Sequence, residues 1–410
     1  MPIIESLLDT DFYKFTMGQF VFHRYPNIPV RYTFKCRNKG VKLGNAIPEK
    51  RLREELDAVR ELRLTTEEAT QLREQQYYPG LFKDNYIKFL RGLRLPEYNL
   101  EYRNGKIHLE FFGPWKEAIY WETFALSIIN ELYYKETVDR YKYKHDIHHD
   151  GWVRLNPKIQ ILRANPGIKI IDFGTRRRFS RDWQEIVVRV LRNQVPENII
   201  GTSNVFLAFK YGMQPMGTFA HEIPMVISAI WRERTNDWDS AILLSHNAML
   251  LDWWNEYGET LSIALTDTYG SEFFFRDMSR SQADMWRGLR HDSGDPVDFG
   301  ERAIKFYNSY GIDPREKTIV FSNALKIDEI TMLSKRFGGR IMTPYGWGTN
   351  LTNDVGLDTL SIVVKATKAF EYGTVKLSDN LAKATGSRPD QKRFKEIFGY
   401  TNTDYEETVV

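Results

Sequence analysis

Apolar runs that stop against polar, glycine-rich clusters recur through the middle of this chain. Residues 168–171 run into Asp172-Phe173-Gly174-Thr175-Arg176-Arg177-Arg178. Ile199-Ile200 leads to Gly201-Thr202-Ser203-Asn204, and Met216 to Gly217-Thr218-Phe219-Ala220-His221-Glu222. Residues 261–265 end at Thr266-Asp267-Thr268-Tyr269-Gly270, and Leu289 ends at Arg290-His291-Asp292-Ser293-Gly294-Asp295. Residues 319–321 end at Ser322-Asn323, and Ile341-Met342 at Thr343-Pro344-Tyr345-Gly346-Trp347-Gly348-Thr349-Asn350. Helical stretches such as 182–192 and 298–310 lie between them. Short buried strands alternating with helices predict a parallel sheet in the α/β class. About seven such units predict an irregular α/β barrel with its site at the C-terminal strand ends.

The flanks follow another pattern. Asp9-Thr10-Asp11 can cap a helix carrying Phe12, Phe15, Met17 and Phe20. Val30, Tyr32, Phe34 and Cys36 alternate with polar residues, as in a half-buried strand. Asn104-Gly105 between two alternating runs predicts a hairpin. Residues 51–73 are charged and helical, 117–134 form a long, largely apolar helix, and 140–165 resemble a linker running into helix. Strand patterns return at 360–366 and 374–377. The expected organisation is an N-terminal α+β domain (1–149), completed by 359–410, around a barrel domain (150–358). The polar, acidic last ten residues are expected to fray.

With 410 residues the chain can bury a large core. A net charge of +3 gives no global reason to expect nucleic acid or a membrane surface. The basic residues form no stripe interleaved with aromatics, as a nucleic-acid groove would need. One cysteine, Cys36, allows no intrachain disulfide, as in a reducing cytoplasm. The N-terminus lacks a secretory pattern, and no apolar run approaches a membrane span. His145, His148 and His149 near Asp146 and Asp150 are read as a solvated surface, while His23, His108 and His246 have no supporting context.

The strand-end clusters, in this order and together with Asp9-Thr10-Asp11-Phe12-Tyr13-Lys14 and Val375-Lys376-Leu377-Ser378-Asp379, closely resemble those of the nicotinate phosphoribosyltransferase family. The resemblance implies transfer of a phosphoribosyl group from phosphoribosyl pyrophosphate to nicotinate, giving nicotinate mononucleotide and pyrophosphate in NAD salvage. It also implies coupling to ATP through a phosphohistidine at His221, since a neutral imidazole can attack the γ-phosphorus. Asp267, with Glu222 as runner-up, would orient the imidazole. Gly346, Gly348 and Thr349 would form a phosphate cup. Arg176 would face pyrophosphate or the pyridine carboxylate, and Phe173 would stack on the ring. Tyr13 would supply the opposite face, from its own chain or from a partner in a homodimer. Arg290 and Asp292 would meet an anionic group and the ribose hydroxyls, beside a Ser293-Gly294 turn with free N–H groups.

Ser203-Asn204 points to nicotinate, because nicotinamide-using relatives carry an aspartate at the position of Ser203, which would repel a carboxylate. Asn323 departs from the acid usual there and is left unassigned. Mg²⁺ would be held mainly by substrate phosphates, with no protein metal ligands assigned. Nicotinamide or quinolinate as acceptor, a barrel glycoside hydrolase, and a non-catalytic ligand-binding protein are the competing readings. A glycosidase would need two carboxylates facing a sugar, whereas these clusters are rich in Arg, Gly and Ser.

Overall fold

The alternating segments near the N-terminus form β1 (Pro29–Cys36), β2 (Tyr98–Arg103) and β3 (Lys106–Pro114) in the computed structural model, which describes residues 2–139, 142 and 146–405. Asn104 and Gly105 turn the hairpin with φ of 52° and 72°, the positive pair that a tight two-residue loop requires. The short buried runs form β4 (Lys169–Asp172), β5 (Ile199–Thr202), β6 (Ile263–Leu265), β7 (Gly288–His291), β8 (Thr318–Phe321) and β9 (Pro344–Trp347). The tail adds β10 (Ile362–Ala369) and β11 (Tyr372–Gly373).

Two sheets result. One is parallel, in the order β5-β4-β9-β8-β7-β6, and the other is antiparallel, in the order β11-β10-β1-β3-β2. The expected α/β class is what is seen. β10 pairs with β1 from Val30–Ala369 to Cys36–Ile362, so the tail lies beside the N-terminal strand.

Several expected elements differ in extent. Among the described residues, six strands are laddered in parallel rather than about seven. The Met216 unit contributes a single bridge, Thr202 to Pro215, because the chain then turns at Gly217. The strand expected at 341–342 lies at Pro344–Trp347, which puts Gly346 inside the strand. The strand expected at 374–377 is reduced to a single bridge, Lys376 to Thr385, and the short strand lies just before it at Tyr372–Gly373: Leu377 N donates to Thr268 O, drawing this segment to the parallel sheet. Residues 51–73 split into helices Glu49–Glu61 and Thr66–Glu74, the second started by a Thr65–Glu68 capping box.

The expected linker is mostly helix Asp146–Ala164. There His149 is exposed, while the His148 ring lies 5.4 Å from that of Trp183. His145 and residues 406–410 lie outside the described residues. Helix Trp121–Thr137 is buried along most of its length. No helix among the described residues is long and apolar enough to cross a membrane.

Candidate active site

The C-terminal ends of the parallel strands open onto a cavity of about 290 Å³. β4 runs into Phe173 and Arg176, β7 carries Arg290 and leads to Asp292, and β9 carries Gly346 and leads to Gly348 and Thr349. All seven line the cavity, together with His221 and Tyr13. The Phe173 ring lies so close to Gly346 that a Cβ there would fall 2.4 Å from a ring carbon. Glycine is what lets the aromatic face sit at this strand end. Arg290 spans the floor, with its Nε donating to Ser322 Oγ at 3.0 Å and its Nη2 to Asp292 Oδ1 at 3.0 Å, and its guanidinium 5.7 Å from the Phe173 ring centre. Tyr13 projects from helix Phe12–Arg24 of the same chain, and the Arg176 guanidinium lies 5.9 Å from its ring centre.

His221 sits just before helix Glu222–Glu233. Its Nδ1 is 3.0 Å from Thr268 Oγ1. Its Nε2 is 2.8 Å from Lys376 Nζ, 3.1 Å from Asp292 Oδ2 and 3.7 Å from Asp267 Oδ1. An ammonium only donates, so Nε2 accepts from Lys376 and Nδ1 carries the proton toward Thr268. Burial, with Lys376 adding to it, lowers the imidazole from 6.5 to about 4, so it is neutral near pH 7. Burial alone would raise Asp267 and Asp292. Lys376, with a hydrogen bond from Ser293, instead holds Asp267 below the usual carboxylate range, and Arg290, Lys383 and Lys376 do so for Asp292.

Several expected site residues stand elsewhere. Glu222 turns away from the imidazole, its carboxylate taken by Lys14 at 2.8 Å, Tyr32 at 2.5 Å and Trp115 at 2.7 Å. Asp267 approaches Nε2 rather than the opposite nitrogen, which a hydroxyl occupies. Ser203 does not line the cavity: its hydroxyl donates to Asp11 at 2.6 Å and its carbonyl accepts from Phe12 N. Asn204 caps helix Val205–Tyr211 and donates to Asp9 at 2.7 Å. The Ser293 hydroxyl is spent on Asp267 rather than left for a ligand. Gly294 supplies the φ of 80° that turns the chain, and its carbonyl pairs with His291. Within the arginine cluster, Arg178 is fully buried in a two-pronged pair with Asp9 at 2.6 and 2.8 Å.

The cavity also holds cations that had no assigned role. Arg37 follows β1 directly, Lys365 lies in β10, Arg177 comes from the turn after β4, and Lys376 and Lys383 come from the tail. Burial, with neighbouring cations adding to it, lowers Lys365 and Lys383 to about 8 and Arg177 to about 9. Mutual repulsion of this kind marks a place prepared for anionic charge. Arg177 and Lys376 stand in the strand-end and tail motifs; Arg37, Lys365 and Lys383 come from segments that share no pattern and meet only in the fold. A larger cleft of about 1310 Å³ shares Arg37, Asn350 and Lys365 with the cavity.

Residues 168–402 match the model of the nicotinate phosphoribosyltransferase (NAPRTase) family, and residues 8–130 match the model of its N-terminal domain. The chain belongs to the nicotinate phosphoribosyltransferase family. Solved structures agree. The nicotinate phosphoribosyltransferase of Porphyromonas gingivalis is 33% identical, with 97% of this chain and 100% of that one covered and a TM-score of 0.86. That of Vibrio cholerae is 27% identical, with 98% and 94% covered and a TM-score of 0.85. A putative nicotinate phosphoribosyltransferase of Saccharomyces cerevisiae is 29% identical, with 98% and 99% covered and a TM-score of 0.83. Membership makes the chain an enzyme and places it in NAD biosynthesis.

The expected Mg²⁺ can be weighed against the donors present. Among the described residues, the one group of metal-ligating type is His221, Asp267 and Asp292, and Lys376 already contacts it. Asp292 Oδ1 is already engaged by Arg290 and Ser322, and its Oδ2 lies 3.9 Å from the Lys376 ammonium. These residues fit a Mg²⁺ that arrives on substrate phosphates better than one held by a protein cage.

Proposed function

We propose that this enzyme transfers the phosphoribosyl group of phosphoribosyl pyrophosphate to nicotinate, and that ATP drives the transfer through a phosphohistidine at His221. The observation that carries the reading is a neutral imidazole whose Nε2 faces a cavity ringed by cations. In the first reaction the Nε2 lone pair forms a bond to the γ-phosphorus of ATP. The bond from phosphorus to the bridging oxygen breaks, and ADP leaves with the electron pair. In the second the pyridine nitrogen bonds the ribose C1, and pyrophosphate leaves with the electrons of the C1–O bond. Water then cleaves the P–N bond to release phosphate. Arg37, Lys365 and Lys383 are placed to offset the charge on the departing phosphates, and Mg²⁺ would add to this when bound.

Acceptor choice rests on Arg176 rather than on Ser203. The guanidinium lines the cavity beside Tyr13, where it can meet the pyridine carboxylate. The same reading takes the six-stranded sheet as an irregular barrel closed by segment 215–218. Its support is the Thr202–Pro215 bridge on one side and the 2.9 Å bond from Thr218 Oγ1 to Ile263 O on the other. It keeps 1–149 with 359–410 as one domain and 150–358 as the other.

The test mixes the protein with phosphoribosyl pyrophosphate, Mg²⁺ and nicotinate, nicotinamide or quinolinate in turn, with and without ATP. The expected product mass is nicotinate mononucleotide, formed faster with ATP, together with acid-labile phosphate on His221. Product from nicotinamide alone would overturn the acceptor assignment.

A further inference from the structure

His221, Asp267 and Asp292 each offer one ligand atom, and these atoms all lie within 4.8 Å of one another. Neutral imidazole with two carboxylates is a donor set that suits Zn²⁺ or Mn²⁺. Lys376 Nζ reaches all three, at 2.8 Å from His221 Nε2, 3.4 Å from Asp267 Oδ2 and 3.9 Å from Asp292 Oδ2. We propose that Lys376 is the resident cation of this site: its ammonium stands where a divalent ion would bind and keeps the Nε2 lone pair of His221 free of metal.

The placement is built. Lys376 is buried, and its backbone is held on both sides, by a bond from Lys376 N to Thr385 O and another from Thr385 N to Lys376 O. Leu377 N donates to Thr268 O at 2.8 Å, and Ser378 Oγ donates to Ser293 Oγ at 2.8 Å. The segment that delivers the ammonium is thus fastened to the strand ends that deliver the carboxylates.

The chemistry gives the arrangement a purpose. A transition-metal ion on Nε2 would occupy the electron pair that must attack phosphorus. An ammonium also offsets half the charge of the two carboxylates, yet it sits on a flexible four-carbon stem and only shares a proton with the nitrogen. A polyphosphate entering the cavity can draw it aside. Its kinetic meaning rests on the phosphohistidine proposed above; its standing as a cation does not. The charged groups facing the imidazole are Lys376, Asp267 and Asp292, with Arg290 and Lys383 behind Asp292. Removing Lys376 therefore leaves the two carboxylates as the nearest charges.

The test uses the full chain without substrates. Zn²⁺ is titrated calorimetrically into wild type, Lys376→Ala and the double variant Lys376→Ala/His221→Ala. Imidazole protonation is followed by NMR in wild type, Lys376→Ala and Lys376→Met, the last keeping the stem. The expected result is Zn²⁺ binding in Lys376→Ala about 10-fold or more tighter than in wild type, abolished in the double variant. The His221 titration moves to higher pH in both single variants. A folded Lys376→Ala with no gain in Zn²⁺ affinity overturns the proposal, as does a gain that survives His221→Ala. Should Lys376→Ala not fold, an unmoved His221 titration in Lys376→Met overturns it. Failure of ATP to phosphorylate His221 would refute the phosphohistidine and move neither measurement.

Discussion

The turns at 217–222 and 291–295 each carry a buried histidine, and the two imidazoles share an electrostatic character but not a chemical one. Burial lowers both His221 and His291 from 6.5 to about 4. His221 Nε2 opens onto the cavity among Lys376, Asp292 and Asp267. His291 Nε2 donates to Gly294 O at 3.1 Å, and its ring lies 5.0 Å from that of Phe299 and 5.5 Å from that of Phe321. The reason lies in the strand. β7 alternates, so Arg290 and Asp292 point toward the cavity while His291, between them, points into the core. Low basicity thus records burial, and only access to a ligand makes a nucleophile.

The largest expected effect separates the two in activity. His221→Ala should lose the ATP-dependent part of the rate by about 10²-fold or more, the scale of a lost catalytic group. His291→Gln should keep the ATP response. Initial rates with and without ATP decide it, and a His291→Gln variant as inactive as His221→Ala would break the comparison.

Stability should sharpen it next. Ser293→Ala removes a hydrogen bond to the buried Asp267 carboxylate and should cost about 1.5–3 kcal/mol in urea unfolding. Gly294→Ala forces a side chain into positive φ, 3.1 Å from Asp379 Cβ, and should cost about 1–2 kcal/mol. The smallest effect should treat the two histidines alike. The unfolded chain takes up protons below the ordinary 6.5, whereas the folded imidazoles stay neutral until about 4. Each therefore costs stability progressively as pH falls through that window and costs nothing above it. The urea midpoint should drop between about pH 7 and about pH 5, and His221→Gln or His291→Gln should each reduce the drop. A variant whose drop equals that of wild type would show that its imidazole does not resist protonation.

Much of the site could be read from local pattern. Phe173, Arg176, His221, Arg290, Asp292, Gly346, Gly348 and Thr349 each follow or end an apolar run, and the fold gathers them because parallel strands end on one side. The signal failed where a polar residue serves the backbone. Ser203, Asn204 and Ser293 carry the same residue types at the same strand ends, but they satisfy Asp11, a helix start and Asp267. It also failed for Arg37, just after β1, Lys365 in β10, and Lys383 at the end of a short helical turn, Leu381–Lys383, all in the flanking segments.

What the sequence determined on its own is the α/β class, the strand-end clusters and the family, because alternation, apolar runs and turn residues act over a few positions and need no distant partner. Only the tertiary structure decided which polar groups meet. The Lys376 ammonium reaches His221 across 155 positions of chain, and Glu222 is drawn from its neighbouring imidazole by Lys14, 208 positions away. Hydrogen bonds and ion pairs form between groups that folding brings within about 3 Å, and that proximity is a property of packed strands rather than of sequence spacing.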